Sequence, residues 1–306
     1  MNQIVVGKGA LQIPEIGLGC YRIAKLEMEP LLDLIRSALG QGINFFDHAD
    51  IYGGGESEIR FVKAIRELGV GRSEMILQSK CGIRRGCCFD LSREHILQSV
   101  DGILARLETD YLDILLLHRP DALMEPDEIA DAFRILKDAG KVRHFGVSNM
   151  NPGQIALLRQ AVAEPILFNQ LQMSITDCVM IDTGLNVNMS NELAVNRDGG
   201  ILDYCRLHGI TIQAWSPFQH GFLQGPFIDN PQFAELNQKL EQLAEAYSVG
   251  KLAVAVAWIL RHPARIQTLV GTTRRSRLDE IGQASGIRLS REEWYELYKA
   301  AGKRIP

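Results

Sequence analysis

Short apolar runs alternate along the chain with longer stretches in which apolar residues recur every three or four positions. The runs are Glu15–Leu18, Ile43–Phe46, Met75–Ser79, Asp113–Leu117, His144–Val147, Ile166–Asn169, Ile210–Ala214 and Gln267–Val270. Each has the length of a strand. Some, such as Ile114-Leu115-Leu116-Leu117, are continuously apolar, as expected when both faces of a strand are buried. Between them, Glu29–Leu39, Ser57–Leu68, Ser92–Leu107, Asp127–Ala139, Pro152–Val162 and Lys251–Arg261 read as amphipathic helices. In Ser92–Leu107, the residues Ile96, Val100, Ile103, Leu104 and Leu107 fall on one helical face.

Strands that alternate with helices pair in parallel through crossovers. Eight of them match a closed (β/α)8 barrel of the TIM type better than an open doubly wound sheet. An open dinucleotide-binding sheet carries G-x-G-x-x-G after its first strand, and Gly53-Gly54-Gly55 does not have that spacing. Ile4–Val6 and Leu11–Ile13, separated by Gly7-Lys8-Gly9, predict a β-hairpin that plugs the N-terminal end of the barrel. Extra helices are expected near Arg277–Gln283 and Arg291–Ala301, and residues 1–306 read as one barrel domain. Ser174–Gly199 is long and weakly periodic, so it is expected to be a functional loop or partly disordered.

Composition narrows the function. Lys and Arg number 33 against 37 Asp and Glu, a net charge of −4, which lacks the basic footprint of a nucleic-acid-binding protein. Hydrophobic residues make up 46%, too many for a disordered chain. No run approaches the roughly 18 uncharged apolar residues of a membrane span. The N-terminal stretch has no basic segment leading into an apolar one, so no secretory signal is expected and a cytoplasmic location is. Cys20, Cys81, Cys87, Cys88, Cys178 and Cys205 show no metal-ligand spacing and are expected to be reduced and mostly buried.

The chemistry lies where the apolar runs end. Asp47 follows the second run, Lys80 the third and His118 the fourth. Ser148-Asn149 follow the fifth, Gln170 the sixth, Trp215-Ser216 the seventh and Gly271-Thr272 the eighth. In a barrel these positions share the C-terminal face, where active sites lie. Neighbouring strands should bring Asp47, Lys80 and His118 together, with Tyr52 in the glycine-rich loop after Asp47. A tyrosine beside an ammonium is a proton donor whose pKa the cation should lower. Asp47 would orient Lys80, and His118 would hydrogen-bond a carbonyl oxygen. A hydride would have to come from a cofactor, since no side chain supplies one.

The chain resembles the aldo-keto reductase superfamily. The matching strings are Ile43–Gly53 (INFFDHADIYG), Gln78–Lys80 (QSK), Leu116–Asp121 (LLHRPD), Gly140–Asn149 (GKVRHFGVSN), Phe168–Gln170 (FNQ), Ala214–Pro217 (AWSP) and Val270–Glu280 (VGTT, then DE), in family order over nearly the whole chain. The resemblance implies an NADPH-dependent barrel reductase of small carbonyl substrates, without metal and monomeric. It places Asp47, Tyr52, Lys80 and His118 at the catalytic positions, with Tyr52 as general acid. It assigns Ser148, Asn149 and Gln170 to the nicotinamide carboxamide, Trp215 to stacking on the ring and Ser216 to the pyrophosphate. Thr272 and Arg277 are assigned to the 2′-phosphate and Glu280 to adenine, with Arg274 and Arg275 adding positive charge. Gly271 lies in the same cofactor segment, where many members carry Lys, so one phosphate contact is missing. Ile281 and Leu171-Gln172-Met173 also depart from the common pattern.

Other readings stay open at this point. His48 and Asp50 could suggest a metal site with His118, but too few further ligands sit at strand ends, and both read as solvated loop residues. Cys20-Tyr21-Arg22 follow the first strand, where the family lines its cleft. The resemblance also admits an NADP(H)-binding regulatory subunit or redox sensor with little turnover.

Overall fold

The computed structural model describes residues 1–222 and 224–305. Eight parallel strands close into a barrel: β3 (Ile16–Gly19), β4 (Phe45–Asp47), β5 (Ile76–Cys81), β8 (Leu112–Leu117), β9 (Val142–Ser148), β10 (Ile166–Gln172), β11 (Thr211–Trp215) and β12 (Gln267–Val270), with β12 pairing back onto β3. The expected (β/α)8 architecture is therefore observed. The helices α1 (Met28–Gly40), α2 (Glu56–Leu68), α3 (Arg93–Leu107), α4 (Pro126–Asp138), α5 (Pro152–Ala161), α7 (Ile201–His208), α8 (Ala234–Tyr247) and α9 (Lys251–Leu260) coat its outside. Among the described residues, no single helix is long and apolar enough to cross a membrane.

Local sequence explains where the elements begin. Ser92 caps α3 by accepting the His95 N–H. Asn151 with Gln154, and Ser290 with Glu293, form reciprocal capping boxes at α5 and at α11 (Arg291–Ala300). On β8, Ile114 and Leu116 pack inside the barrel while Leu115 and Leu117 face the helices, which is why the strand has no polar face.

The lower barrel is filled by Phe45, Ile114, Leu116, Phe168 and Leu269. A hairpin, β1 (Gln3–Val6) and β2 (Leu11–Pro14), closes that end by burying Ile4, Val6 and Ile13 against the same cluster. Gly146 on β9 makes room for it: a Cβ there would lie 2.7 Å from Leu116 and 2.8 Å from Phe168.

The C-terminal helices lie at α10 (Arg275–Gly282) and α11, each within two residues of expectation. Several elements depart from the sequence reading, which named no helix at α7. A small hairpin, β6 (Ile83–Arg84) with β7 (Cys88–Phe89), rises from the end of β5. Helix α8 carries buried Leu236, Leu240 and Leu243 in a pattern that the sequence reading passed over. Ser174–Gly199 contains α6 (Val179–Leu185) and a 3₁₀ turn at Glu192–Ala194. It is anchored rather than loose: Tyr298 and Lys303 both donate to the buried Asp182, at 2.8 and 2.6 Å. Weak periodicity hid this helix because much of what holds it comes from over a hundred residues away.

Candidate active site

The strand-end residues meet at the C-terminal mouth of the barrel. The register puts Asp47 of β4 beside Gln78 of β5, and Lys80 beside Leu116 of β8, two residues before His118. The loop after β4 is pinned along β5, since His48 N–H donates to Gln78 O at 2.8 Å and Asp50 N–H to Lys80 O at 3.1 Å. Gly53, Gly54 and Gly55 then take φ of 61°, 71° and 95°, a turn open to glycine at no steric cost, and lead into α2. Tyr52 is thereby carried back over Lys80.

Lys80 is fully buried, and its three N–H donors are all used. They go to the Asp47 carboxylate at 2.8 Å, to His48 O at 2.8 Å and to Tyr52 Oη at 3.1 Å. Burial pulls the ammonium toward neutrality, but the charges of Asp47 and Tyr52 and their hydrogen bonds outweigh it, leaving its pKa above the ordinary lysine value. Lys80 is thus a buried cation.

Asp47 is held from below by contacts that sequence reasoning missed. Its Oδ1 accepts Nε2 of Gln78 at 2.6 Å and Nε2 of Gln170 at 3.1 Å. Gln213 bonds Gln78 in both directions at 3.0 Å, accepts from Gln170 at 3.2 Å and donates to Gln267 at 2.8 Å. Four glutamines on four strands therefore make a polar floor in which each amide supports the next. The signal was present as Gln on β5, β10, β11 and β12. Gln170 was expected only at the carboxamide, yet its NH2 faces this floor and only its Oε1 is left to meet a ligand.

The expected acidification of Tyr52 is corrected. Burial raises the phenol pKa above its ordinary value of 10.0, and the nearby Lys80 charge only partly offsets that. Desolvation acts on the whole phenolate, whereas Lys80 shares its charge with Asp47. Tyr52 is protonated at neutral pH. His118 packs edge-on to Tyr52 with ring centroids 6.0 Å apart. Burial, then the charges of Lys80 and Arg119, push its pKa well below 6.5, so its imidazole is neutral.

His48 is not solvated and Asp50 is only partly so, contrary to the sequence expectation. His48 is fully buried, packs on Phe61 at 4.6 Å, and is driven down to about 3 by burial and Lys80. Neither ring nitrogen has a partner among the described residues. Asp50 is pushed up to about 7 by burial and by Glu58, and its Oδ1 is buried and unpartnered. Glu58 itself is paired with Arg106 at 2.6 Å and accepts from Ser79 at 2.9 Å.

The Asp50 shift has a sign that can be tested. A carboxyl whose folded pKa is raised holds its proton when the unfolded chain has lost it, so stability falls as pH rises from about 4 to about 7. Asp50→Asn is uncharged throughout. Its stability relative to wild type should therefore be greater at pH 8 than at pH 5, by on the order of 2–3 kcal/mol. Urea unfolding at the two pH values measures this. An equal change at both would show that Asp50 carries no such cost. The opposite slope from His48 is common to both proteins and cancels.

Across the mouth, Ser148 donates to Gln170 O at 3.0 Å and accepts from Asn149 at 2.7 Å, while Asn149 Oδ1 accepts the Trp215 indole N–H at 3.3 Å. Asn149 and Ser216 have positive φ of 57° and 54°, marking sharp turns off β9 and β11. Trp215 is half-buried, with Phe222 edge-on at 6.1 Å. Thr272 makes a local turn with Arg274 N–H at 3.2 Å. Arg274, Arg275 and Arg277 are exposed around the start of α10, whose N-cap makes no side-chain hydrogen bond. Glu280, expected at adenine, has one oxygen engaged already, accepting Leu252 N–H of α9 at 2.8 Å. At Gly271, an Arg22 nitrogen lies 3.8 Å from where a Cβ would stand, so a cation from the β3 end approaches the position that lacks a side chain.

This set fits a nicotinamide dinucleotide. It offers a half-open indole face, amide and hydroxyl groups at one end, and at the other four guanidiniums and an uncapped helix start suited to phosphate.

Comparison with known proteins identifies the family. The pattern of the Aldo/keto reductase family matches residues 15–301. Oxidoreductase YdhF of Escherichia coli is 31% identical over 318 residues, covering 100% of both chains. A 6-dehydroglucose reductase of Novosphingobium aromaticivorans is 32% identical over 315 residues, covering 98% of this chain and 96% of its own. The crystal structure of the thermostable aldo-keto reductase Tm1743, solved with the inhibitor epalrestat, superposes with a TM-score of 0.80 at 27% identity, covering 98% of this chain and 100% of that one. With an eight-stranded barrel, the family's pattern along almost its full length and relatives matched end to end, the chain belongs to the aldo/keto reductase family.

Proposed function

We propose that the protein reduces aldehydes and ketones to alcohols with NADPH, with Tyr52 as general acid. One observation carries the reading. All three Lys80 donors are committed, and one of them goes to Tyr52 Oη, so that oxygen accepts and its own proton is free to be donated elsewhere. NADPH, when bound, supplies the hydride. Ser148, Asn149 and the Oε1 of Gln170 would hold the carboxamide, and Trp215 would lie against the ring. The neutral His118 donates an N–H to the carbonyl oxygen and aligns it with Tyr52. As negative charge grows on that oxygen, the phenol gives up its proton, and Lys80 stabilises the phenolate left behind. Asp47, fixed by the glutamine floor, keeps Lys80 charged. A raised phenol pKa suits this step, because the acid must be protonated beforehand and an alkoxide is the stronger base.

NADPH oxidation followed by absorbance, with a panel of aldehydes, tests the reading. NADPH binding without turnover on any of them would instead support a regulatory subunit or sensor.

The preference for NADPH over NADH rests on Arg22 and Arg277, with Thr272, at the 2′-phosphate, Arg22 standing in for the side chain missing at Gly271. Arg22→Ala and Arg277→Ala are each expected to weaken NADPH binding about 10- to 100-fold, the worth of a charge-assisted hydrogen bond. NADH binding should barely change. Fluorescence titration of both nucleotides measures this, and parallel losses for the two would contradict it.

A further inference from the structure

One cation at the barrel mouth has no part in the scheme above. Arg119 directly follows His118 at the end of β8. Its guanidinium lies 5.9 Å from the centre of the Trp215 ring on β11. In the barrel, β8 and β11 are separated by β9 and β10, so the side chain crosses the mouth instead of lining its rim. It is half-buried, and among the described residues it makes no hydrogen bond and no ion pair.

Most other arginines with half-buried side chains here have oxygen partners. Arg72 bonds Asp113, Thr109 and two carbonyls, Arg106 pairs with Glu58, and Arg261 donates to Leu289 O. Arg119 has the Trp215 ring instead, and its charge acts on Tyr52 and on its chain neighbour His118. Burial costs its guanidinium part of its hydration, which lowers its pKa, though an arginine stays charged. A desolvated cation without an anion is an incomplete site.

Two occupants come to this mouth, the cofactor and the substrate. The cofactor's phosphates do not complete the site, because the cations suited to them, Arg22, Arg274, Arg275 and Arg277, come from the β3 and β12 side, opposite β8. The substrate does, since its carbonyl must reach Tyr52 and His118, on the same side of the mouth as Arg119. We infer that Arg119 is a substrate-binding residue that grips an acceptor oxygen, carboxylate or hydroxyl, close to the reacting carbonyl, and so selects oxygenated aldehydes over plain alkyl ones. The inference rests on the reductase reading given above. Its five donors in a fixed fork suit a carboxylate or a pair of hydroxyls, and the aromatic walls of Tyr21, Tyr52, Trp215 and Phe222 would cover the remaining carbon skeleton.

The test uses two pairs of aldehydes of equal carbon count: propanal with glyceraldehyde, and butanal with succinic semialdehyde. Wild-type protein, Arg119→Met and Arg119→Lys are compared for kcat and KM, and for NADPH affinity by fluorescence. Wild type should prefer the oxygenated member of at least one pair. Arg119→Met should lower kcat/KM for that member about 10- to 100-fold, mainly through KM, with little change for its alkyl partner and none in NADPH affinity. Arg119→Lys, which keeps the charge but loses the fork, should fall between. Loss with succinic semialdehyde alone would identify a carboxylate, and loss with glyceraldehyde as well would show that hydroxyls suffice. Equal loss on all four aldehydes, loss of NADPH affinity, or no loss at all would each overturn the assignment. Wild type inactive on all four would sink the reductase reading itself, before any variant is compared.

Discussion

Tyr52→Phe is expected to lower kcat for carbonyl reduction by about 10²- to 10⁴-fold, the usual worth of a positioned general acid. The ring, its edge contact with Tyr21 at 5.1 Å and its packing against His118 would remain. Lys80 would lose one acceptor and keep two, Asp47 and His48 O. NADPH affinity should therefore be nearly unchanged, so that the loss lies in the chemical step. The pH dependence follows from the same burial. His118 is already neutral near pH 7 and burial holds the Tyr52 phenol protonated beyond the ordinary tyrosine range, so kcat/KM of wild type should run flat through neutrality and fall in strong alkali. Stopped-flow single turnovers with Tyr52→Phe, and a pH profile of wild type, check both. Full turnover by the variant would remove Tyr52 from the mechanism.

Lys80→Met should damage stability as well as activity. Asp47 would remain in the barrel as a buried carboxylate with two glutamine amides but no cation, and removing one partner of a buried pair costs about 3–5 kcal/mol. The double variant Asp47→Asn with Lys80→Met removes the orphaned charge, so it should recover part of that loss. Urea unfolding of the two single variants and the double measures the coupling. Lys80→Met and the double variant should both lack turnover, because neither offers a cation to the Tyr52 phenolate. A Lys80→Met protein as stable as wild type would mean that water reaches Asp47, and the site would then be far wetter than its buried geometry suggests.

Much of this site was legible before any coordinates. Asp47, Lys80 and His118 stand directly after apolar runs, and barrel topology alone converts that position into convergence at one mouth. The hairpin under the barrel was legible too, from two short runs around Gly7-Lys8-Gly9. The protonation states were not. Lys80 lies next to Tyr52 as anticipated, yet the phenol pKa rises, because how much water a group loses depends on everything packed around it. His48 and Asp50 show the same limit: a polar pair in a glycine-rich loop reads as solvated until the loop is seen pinned along β5.

Periodicity and strand-end polarity are local in the chain, and they determined the eight barrel strands, their parallel order and the face that carries the chemistry. The tertiary structure alone decided what distant residues do to one another. It joined Gln78, Gln170, Gln213 and Gln267 under Asp47, tied α6 to Tyr298 and Lys303, and laid Arg119 across the mouth toward Trp215. Electrostatic energies and hydration depend on distance in space, and residues 47, 119 and 215 acquire those distances only when the barrel closes.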